Sequence, residues 1–184
     1  MTVFVLALCG SLRRGSHNRR LLSAAAAQLP GSVTLEVYGG LRDLPPYDED
    51  ADATEAVQGL RAAISAADAV LIATPEYNGS VPGHLKNALD WASRPFPDNC
   101  LRDKPVAVIG ASTGLFGALW AQAELRDKVL PTIGAHVIDE ELPVGQAHDA
   151  FTDGGTLADP ALRERLATIL DRLVQECRCD ERAA

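Results

Sequence analysis

The sequence predicts an α/β fold in which a parallel β-sheet is covered by helices on both faces. Short apolar runs rich in β-branched residues alternate along the chain with segments of helical character. The resulting order, βαβαβαβαβα, favours a three-layer sandwich because each parallel strand needs a crossover helix to return the chain. The 184 residues, 47% of them hydrophobic, suffice for a substantial core, so we expect a single domain over residues 1–184.

Five apolar runs are the predicted strands. The first, "TVFVLALC", is typical of a strand that is covered on both faces, and no basic segment precedes it as in a signal peptide. The predicted strands span residues 2–9, 33–38, 68–74, 105–112 and 134–139.

A helical pattern follows each predicted strand. Asn18 is the expected N-cap of the first helix, which Pro30 and Gly31 end, and Thr54 is the expected cap of the second. The helices are predicted over residues 18–28, 54–67, 84–92, 118–130 and 160–177. The last five or so residues are expected to be loose.

Composition and charge exclude several functions. The net charge of −8 and the pI of about 4.9 argue against a nucleic-acid partner, which usually requires a basic face. Because no apolar run reaches the 18 to 20 residues that span a bilayer, membrane insertion is not expected. Cys9, Cys100, Cys177 and Cys179 do not form a disulfide pattern, so we expect reduced thiols in a cytoplasmic protein without a metal site.

The functional site is expected beyond the carboxyl ends of the strands. Five βα units suit the strand order 2-1-3-4-5, in which the order reverses between strands 1 and 3. The loops that leave strands 1, 3 and 4 then converge. Their sequences are "GSLRRGSHN" (10–18), "PEYNGSVPG" (75–83) and "ASTGLFG" (111–117).

The first of these loops has the chemistry of an anion site. The N–H groups at the start of a helix face an anion and the helix dipole favours negative charge there. Ser11, Ser16 and Asn18 add polar side chains, and Arg13 adds a charged donor. The loop has neither the GxxxxGK[ST] nor the GxGxxG pattern, so a terminal phosphate monoester fits better than a nucleoside triphosphate or a dinucleotide.

The basic residues next to these positions are not assigned to the anion site. Arg14, Arg19 and Arg20 are expected to face solvent or to stabilise the helix. For His17, inside the loop, a surface position is expected, and the alternative is that it faces the anion.

The second and third loops suit a planar ligand. Pro75 and Pro82 stiffen the second loop, Asn78 and Gly79 form a turn, and Tyr77 offers a ring against which a heterocycle can pack. Taken alone, Tyr77 is more often a half-buried anchor of the loop, and Glu76 is more often solvated. The third loop contributes small side chains and the hydroxyls of Ser112 and Thr113.

These segments, in this order, resemble the NADPH-dependent FMN reductase family. Its members are flavodoxin-like flavoenzymes that include quinone, chromate and azo-dye reductases. The resemblance rests on "GSLRRGSHN", "LPPYDED" (44–50), "TPEYNGSVPGHLKNALDWASRP" (74–95) and "GASTGLFGA" (110–118), of which the third is the most specific.

The resemblance implies an FMN site residue by residue. Ser11, Arg13, Ser16 and Asn18 would hold the FMN phosphate. Pro75, Glu76, Tyr77 and Asn78 would line the isoalloxazine, partly through main-chain groups, and Ser112 and Gly114 would close the other side.

It also implies an assembly. The helix "LKNALDW" would pack at a homodimer interface, so Lys86, Asp90 and Trp91 are interpreted as structural or interfacial. His84 stands where a small residue is common. The helix around Trp120 lacks early basic residues, which leaves open a homotetramer.

The function implied is an FMN-dependent NAD(P)H oxidoreductase that passes hydride, in a ping-pong scheme, to a small-molecule acceptor such as a quinone. No side chain is assigned as catalytic, because flavin N5 carries the chemistry and no nucleophile–base pair is evident. NADPH is preferred to NADH on the resemblance alone. A flavodoxin-like electron carrier that does not oxidise NAD(P)H, and a nucleotide-binding scaffold, are the alternatives.

Overall fold

Parallel strands form the centre of the computed structural model, which describes residues 2–183 and their side chains as far as Cys177. The sheet runs in the order β2-β1-β3-β4-β5, as the sequence predicts, and β6 also pairs with β4. The strands are β1 (Val3–Cys9), β2 (Val33–Val37), β3 (Ala69–Thr74), β4 (Pro105–Ala111), β5 (His136–Val137) and β6 (Pro143–Val144).

Helices connect the strands. They are α1 (His17–Gln28), α2 (Glu55–Ala66), α3 (Gly83–Ala92), α4 (Leu119–Glu124), α5 (Leu130–Ile133) and α6 (Pro160–Ala183). Thr54 caps α2 as predicted, since its hydroxyl accepts the Val57 N–H. The predicted cap of α1 was wrong: Ser16, not Asn18, accepts a first-turn N–H, that of Arg19 at 3.1 Å.

The fifth predicted strand differs from the structure. In place of one strand over 134–139, two short segments, β5 and β6, lie beside β4 in succession. Between the two segments, the consecutive carboxylates of Glu140 and Glu141 pair with Arg172 (2.7 Å) and Arg126 (3.2 Å). The second segment, β6, pairs with the last residues of β4 and so extends the sheet toward the loop that follows it.

The predicted helix over 118–130 also differs in its interior. Between α4 and α5 the chain forms one stretch of π-helix, Leu125–Val129. Pro131, two residues after this stretch, has no N–H to donate to the preceding turn. A widened turn just before the proline is consistent with that missing donor.

Two apolar clusters explain the three layers. Along β1, Val5 and Ala7 belong to one cluster, whereas Leu6 and Leu8 belong to the other, as the alternation of strand side chains requires. The first cluster packs against α1 and α6, and the second packs against α2, α3 and the helical stretch from α4 to α5. Both faces of the sheet are therefore covered, so only the loops beyond the strand ends are left for a ligand.

The final helix is longer than predicted and continues to Ala183. The expected looseness of the last residues, and the role of Cys179, lie outside the side chains that the structure describes. Cys177 is buried and contacts the Leu173 carbonyl at 3.1 Å. Over the described residues, no helix is long and apolar enough to cross a membrane.

Candidate active site

The three loops predicted to converge do so around one cavity. It lies beyond the carboxyl ends of β1, β3 and β4 and has a volume of about 260 Å³. Larger grooves lie elsewhere, but this one gathers the donor-rich segments. Its lining comprises Ser11, Arg13, Ser16, His17, Asn18, Pro75, Glu76, Tyr77, Ala111, Ser112 and Thr113.

The loop after β1 forms the polar wall of the cavity. Ser11 and Ser16 are almost fully buried, with 4% and 3% of their surface exposed, whereas Arg13 is exposed at the same cavity. Cys9 packs beneath the loop, with its Sγ 3.5 Å from the Ser11 carbonyl. Gly10 is required at the turn, because a Cβ there would lie 2.8 Å from Leu85 Cδ2 and 3.2 Å from the Ala73 carbonyl oxygen.

Asn18 connects this wall to β4. Its Nδ2 donates to the Ala111 carbonyl (2.9 Å) and its Oδ1 accepts the Ala111 N–H (3.0 Å), 93 residues along the chain. The side chain is 2% exposed. Asn18 lines the cavity as predicted, but most of its hydrogen-bonding capacity holds the start of α1 against the end of β4.

The loop after β3 folds into a tight turn. Tyr77 and Ser80 exchange two main-chain hydrogen bonds of 3.1 and 3.2 Å. Asn78 and Gly79 between them have φ angles of 55° and 77°, as an Asn-Gly turn of this kind requires. Asn78 is consequently exposed at the tip of the turn and outside the cavity lining, whereas Tyr77 lies at the rim with 43% of its surface exposed.

Two glutamates brace that turn against α4. Glu76 Oε2 accepts the N–H groups of Trp120 (3.0 Å) and Ala121 (3.2 Å) and so caps α4, whose own N-cap residue, Ala118, provides no side-chain cap. Glu124, in return, accepts the Ser80 hydroxyl (2.7 Å) and the Val81 N–H. The Ser80 bond is the main reason why the pKa of Glu124 lies below 4.5.

The loop after β4 is fixed by the segment that includes β6. Ser112 donates its N–H to Val144 and accepts that of Ala147, both at 3.0 Å, and the Gly114 carbonyl accepts from Gln146. Gly117, with φ of 60°, has no room for a side chain because a Cβ would meet the Pro143–Val144 peptide. Gly114 itself is exposed and lies outside the cavity lining.

Eight of the ten predicted site residues thus line the cavity, and Asn78 and Gly114 do not. Their contact with a ligand stays a prediction, as does that of the other eight. Sequence reasoning missed the bracing by Glu124. It also missed Gln122, which is fully buried and accepts the Leu142 N–H at 3.0 Å. A polar residue between the apolar Ala121 and Leu125 was the available signal for Gln122.

His17 was expected at the surface, and that expectation was wrong. It is half-buried in the cavity wall, and its Nδ1 is buried without a hydrogen-bond partner among the described residues. Burial lowers the pKa of its imidazole below 6.5, and the nearby Arg13, Arg20 and His148 lower it further. His84 is also half-buried, and burial lowers its pKa.

Helix α3, which the resemblance places at a homodimer interface, is partly a core element. Trp91 is buried, donates to the Pro45 carbonyl at 2.8 Å and packs edge-on against Tyr47. Lys86 and Asp90 form a partly exposed ion pair at 2.6 Å. Trp91 is therefore structural, whereas Lys86 and Asp90 remain accessible at the surface.

A helix N-terminus, buried hydroxyls and an arginine beyond the reversal point of a parallel sheet define the class of α/β proteins that bind nucleotide phosphates. The sequence profile described as NADPH-dependent FMN reductase matches residues 3–149. An NAD(P)H-dependent FMN reductase of Pseudomonas aeruginosa is 42% identical over 92% of both chains. A 2-hydroxy-1,4-benzoquinone reductase of a Burkholderia species is 35% identical over 94% of both.

Solved structures agree with the sequence relatives. A flavoenzyme NAD(P)H:(acceptor) oxidoreductase of Paracoccus denitrificans superposes with a TM-score of 0.84 at 37% identity, covering 96% of this chain and 98% of its own. The chain belongs to the NADPH-dependent FMN reductase family. It is therefore an oxidoreductase that works with FMN and NAD(P)H, and the expected flavodoxin-like fold is confirmed.

The residues present fit FMN. Its phosphate needs several hydrogen-bond donors and positive charge, which the first turn of α1, the buried serines and Arg13 offer together. The buried Nδ1 of His17 is a further polar atom in the cavity wall without a partner among the described residues. No group of three or more potential metal ligands occurs among those residues.

Replacing Asn18 tests its structural role in the absence of a ligand. We expect Asn18→Ala to destabilise the FMN-free protein by about 2–6 kcal/mol, because it leaves two buried main-chain groups of Ala111 unpaired at about 1–3 kcal/mol each. Urea unfolding without FMN measures this loss. Ser23→Ala is the control, since Ser23 makes an exposed bond on the same helix. Equal stability of the two variants would mean that the bonds to Ala111 are dispensable.

Proposed function

We propose that the cavity holds FMN, with its phosphate against the loop after β1, and that the enzyme uses NAD(P)H to reduce small quinones. The observation that carries this proposal is the convergence of Ser11, Ser16 and Arg13 with the start of α1 in one cavity. When bound, FMN supplies the hydride-accepting and electron-donating chemistry. The protein contributes binding and orientation, so no side chain is assigned an acid–base step.

The side chains around the cavity divide into three roles. Ser11, Ser16 and Arg13 bind the phosphate, with Asn18 holding their segment in place. Main-chain groups from Pro75 to Asn78 and from Ser112 to Gly114 bind the heterocycle, and the ring of Tyr77 packs at its edge. The carboxylate of Glu76 is occupied in capping α4. We therefore assign the main chain of Glu76, and not its carboxylate, to the ligand.

The acceptor is inferred from the surface beside the cavity. Phe116 and Trp120 pack edge-on with ring centroids 5.0 Å apart and are each about half exposed. They adjoin the site because the Trp120 N–H is the donor to Glu76. An exposed aromatic pair next to a redox site suits a flat, weakly polar molecule. The quinone reductases among the relatives support the same acceptor class.

An anaerobic titration of the FMN-loaded protein with NADPH tests the proposed activity. We expect the flavin absorbance to bleach at about one NADPH per FMN and to return when a benzoquinone is added, since two-electron transfer in each half-reaction predicts these ratios. Photoreduced protein serves as the fully bleached reference. If FMN binds and can be photoreduced but neither NADPH nor NADH reduces it, the electron-carrier alternative is correct.

Arg13 tests the position of the phosphate. We expect Arg13→Gln to weaken FMN binding about 10- to 100-fold, because a charge-assisted hydrogen bond contributes about 1.5–3 kcal/mol. Riboflavin, which lacks the phosphate, should bind both forms alike. Arg14→Gln is the matched control, since Arg14 is exposed, adjacent and outside the cavity lining. Equal losses in both arginine variants would contradict the proposed phosphate position.

We also propose that the enzyme is a cytoplasmic homodimer that associates through the surface around α3. A cavity of about 410 Å³ runs between α3 and α5, and Phe96 at its edge is 66% exposed. Cys9 and Cys100 form no disulfide, in keeping with a reducing compartment. If the wild-type protein is a dimer, Phe96→Asp should shift the mass measured by light scattering to that of a monomer. A tetrameric mass for both proteins would instead favour the homotetramer that the sequence left open.

A further inference from the structure

We propose that His17 binds the cofactor phosphate through Nδ1 and takes up a proton as the phosphate binds, so that the affinity for FMN is set by pH. The inference rests on the proposed function, because it assumes the FMN phosphate in the cavity beside α1. It adds a residue to the site whose charge state changes on binding.

The first observation is the position of His17. It is the first residue of α1, directly after the cap Ser16, and it lines the cavity together with Ser11 and Arg13. At this place a side chain and the free main-chain N–H groups of the helix meet the same ligand. A phosphate bound there lies within the group of donors to which His17 belongs.

The second observation is the unpaired Nδ1. This atom is buried, and no described residue makes a hydrogen bond with it. Buried side-chain nitrogens are normally paired, so an unpaired one on a residue that lines a ligand cavity points to a partner that arrives with the ligand. The oxygens of a phosphate dianion only accept hydrogen bonds, so pairing with one of them requires a proton on Nδ1.

The third observation is the charge around the imidazole. Arg13 faces it from the loop, Arg20 from the next turn of α1 and His148 from the segment after β6. Arg20 is held over the Phe151 ring at 4.6 Å, and the carboxylate of Asp149 lies 3.2 Å from the far side of His148. In the absence of an anion, burial lowers the pKa of His17 below 6.5, and the nearby Arg13, Arg20 and His148 lower it further.

An arriving phosphate reverses that balance. Two negative charges beside the imidazole favour its protonated form, and an opposite charge at this range raises a histidine pKa by about one unit or more. The pKa of His17 is then higher in the complex than in the free protein. By linkage, the extra affinity for FMN is fully present below the pKa that His17 has in the free protein. It is lost as the pH rises through the pKa that His17 has in the complex.

FMN affinity of the FMN-free protein, measured by flavin fluorescence from pH 5.5 to 8.5, tests the proposal. The phosphate loses its second proton near pH 6, which raises the affinity for FMN with pH in every variant. Dividing the affinity of the wild-type protein by that of His17→Phe cancels this shared effect. We expect that ratio to fall about tenfold across the range, the equivalent of one pKa unit. His136→Gln is the control, because His136 is an exposed histidine on β5.

A second measurement uses the wild-type protein alone, which keeps the test valid if the variant does not fold. Proton NMR follows the His17 imidazole resonances during pH titration with and without FMN, and with riboflavin. We expect FMN, but not riboflavin, to raise the titration midpoint of His17. Calorimetry in buffers of different ionisation enthalpy should show net proton uptake on FMN binding near pH 7.

Two results would overturn the inference: a wild-type to variant ratio that is flat with pH, and a His17 midpoint unchanged by FMN. Neither would count against the proposed function as long as FMN binds and NADPH bleaches it. Failure of FMN to bind at any pH would reject both together.

Discussion

The site depends on one pair of hydrogen bonds, those between the Asn18 side chain and the main chain of Ala111. Helix α1 follows β1, whereas Ala111 ends β4, and β3 lies between these two strands. Nothing in the hydrogen bonding of the sheet fixes where the start of a helix stands relative to a strand two positions away. The Asn18 amide sets that distance directly, because it pairs with both polar groups of one residue. The polar wall and the opposite wall of the cavity are thereby held at a fixed separation.

A second set of contacts fixes the orientation of the other two loops. Glu76 runs from the loop after β3 to the start of α4, and Glu124 runs back from the end of α4 to the same loop. The two carboxylates satisfy main-chain donors that would otherwise lack partners, so each loop completes the other. Gly117 and Gly145 then allow the loop after β4 to lie against β6 at a separation that no side chain would permit. The ligand-binding loops are thus ordered before a ligand arrives, and binding does not have to supply their ordering entropy.

The sequence predicted the strand order and most of the cavity lining for the same physical reason. Parallel strands are recognisable by their apolar runs, and their carboxyl ends must lie at one edge of the sheet, which brings Ser11, Tyr77 and Ser112 together. Hydrogen bonds between residues far apart in the sequence could not be predicted. Nothing local to Asn18 indicates a partner 93 positions away, and its placement as a helix cap followed a local rule that Ser16 satisfies better. The carboxylates of Glu140 and Glu141 between β5 and β6 likewise find their partners, Arg172 and Arg126, in other elements of the fold.

The contrast between overall and local charge bears directly on selectivity. The chain carries a net charge of −8, yet the guanidinium groups of Arg13 and Arg20 lie near His17, which lines the cavity. An acidic surface repels polyanions such as nucleic acids over several ångströms, while a small cationic pocket still binds a compact dianion at contact distance. Such an arrangement admits a mononucleotide phosphate and disfavours longer anionic chains. If the cavity holds FMN as proposed, the size of the positive region contributes to the choice of cofactor together with the hydrogen bonds within it.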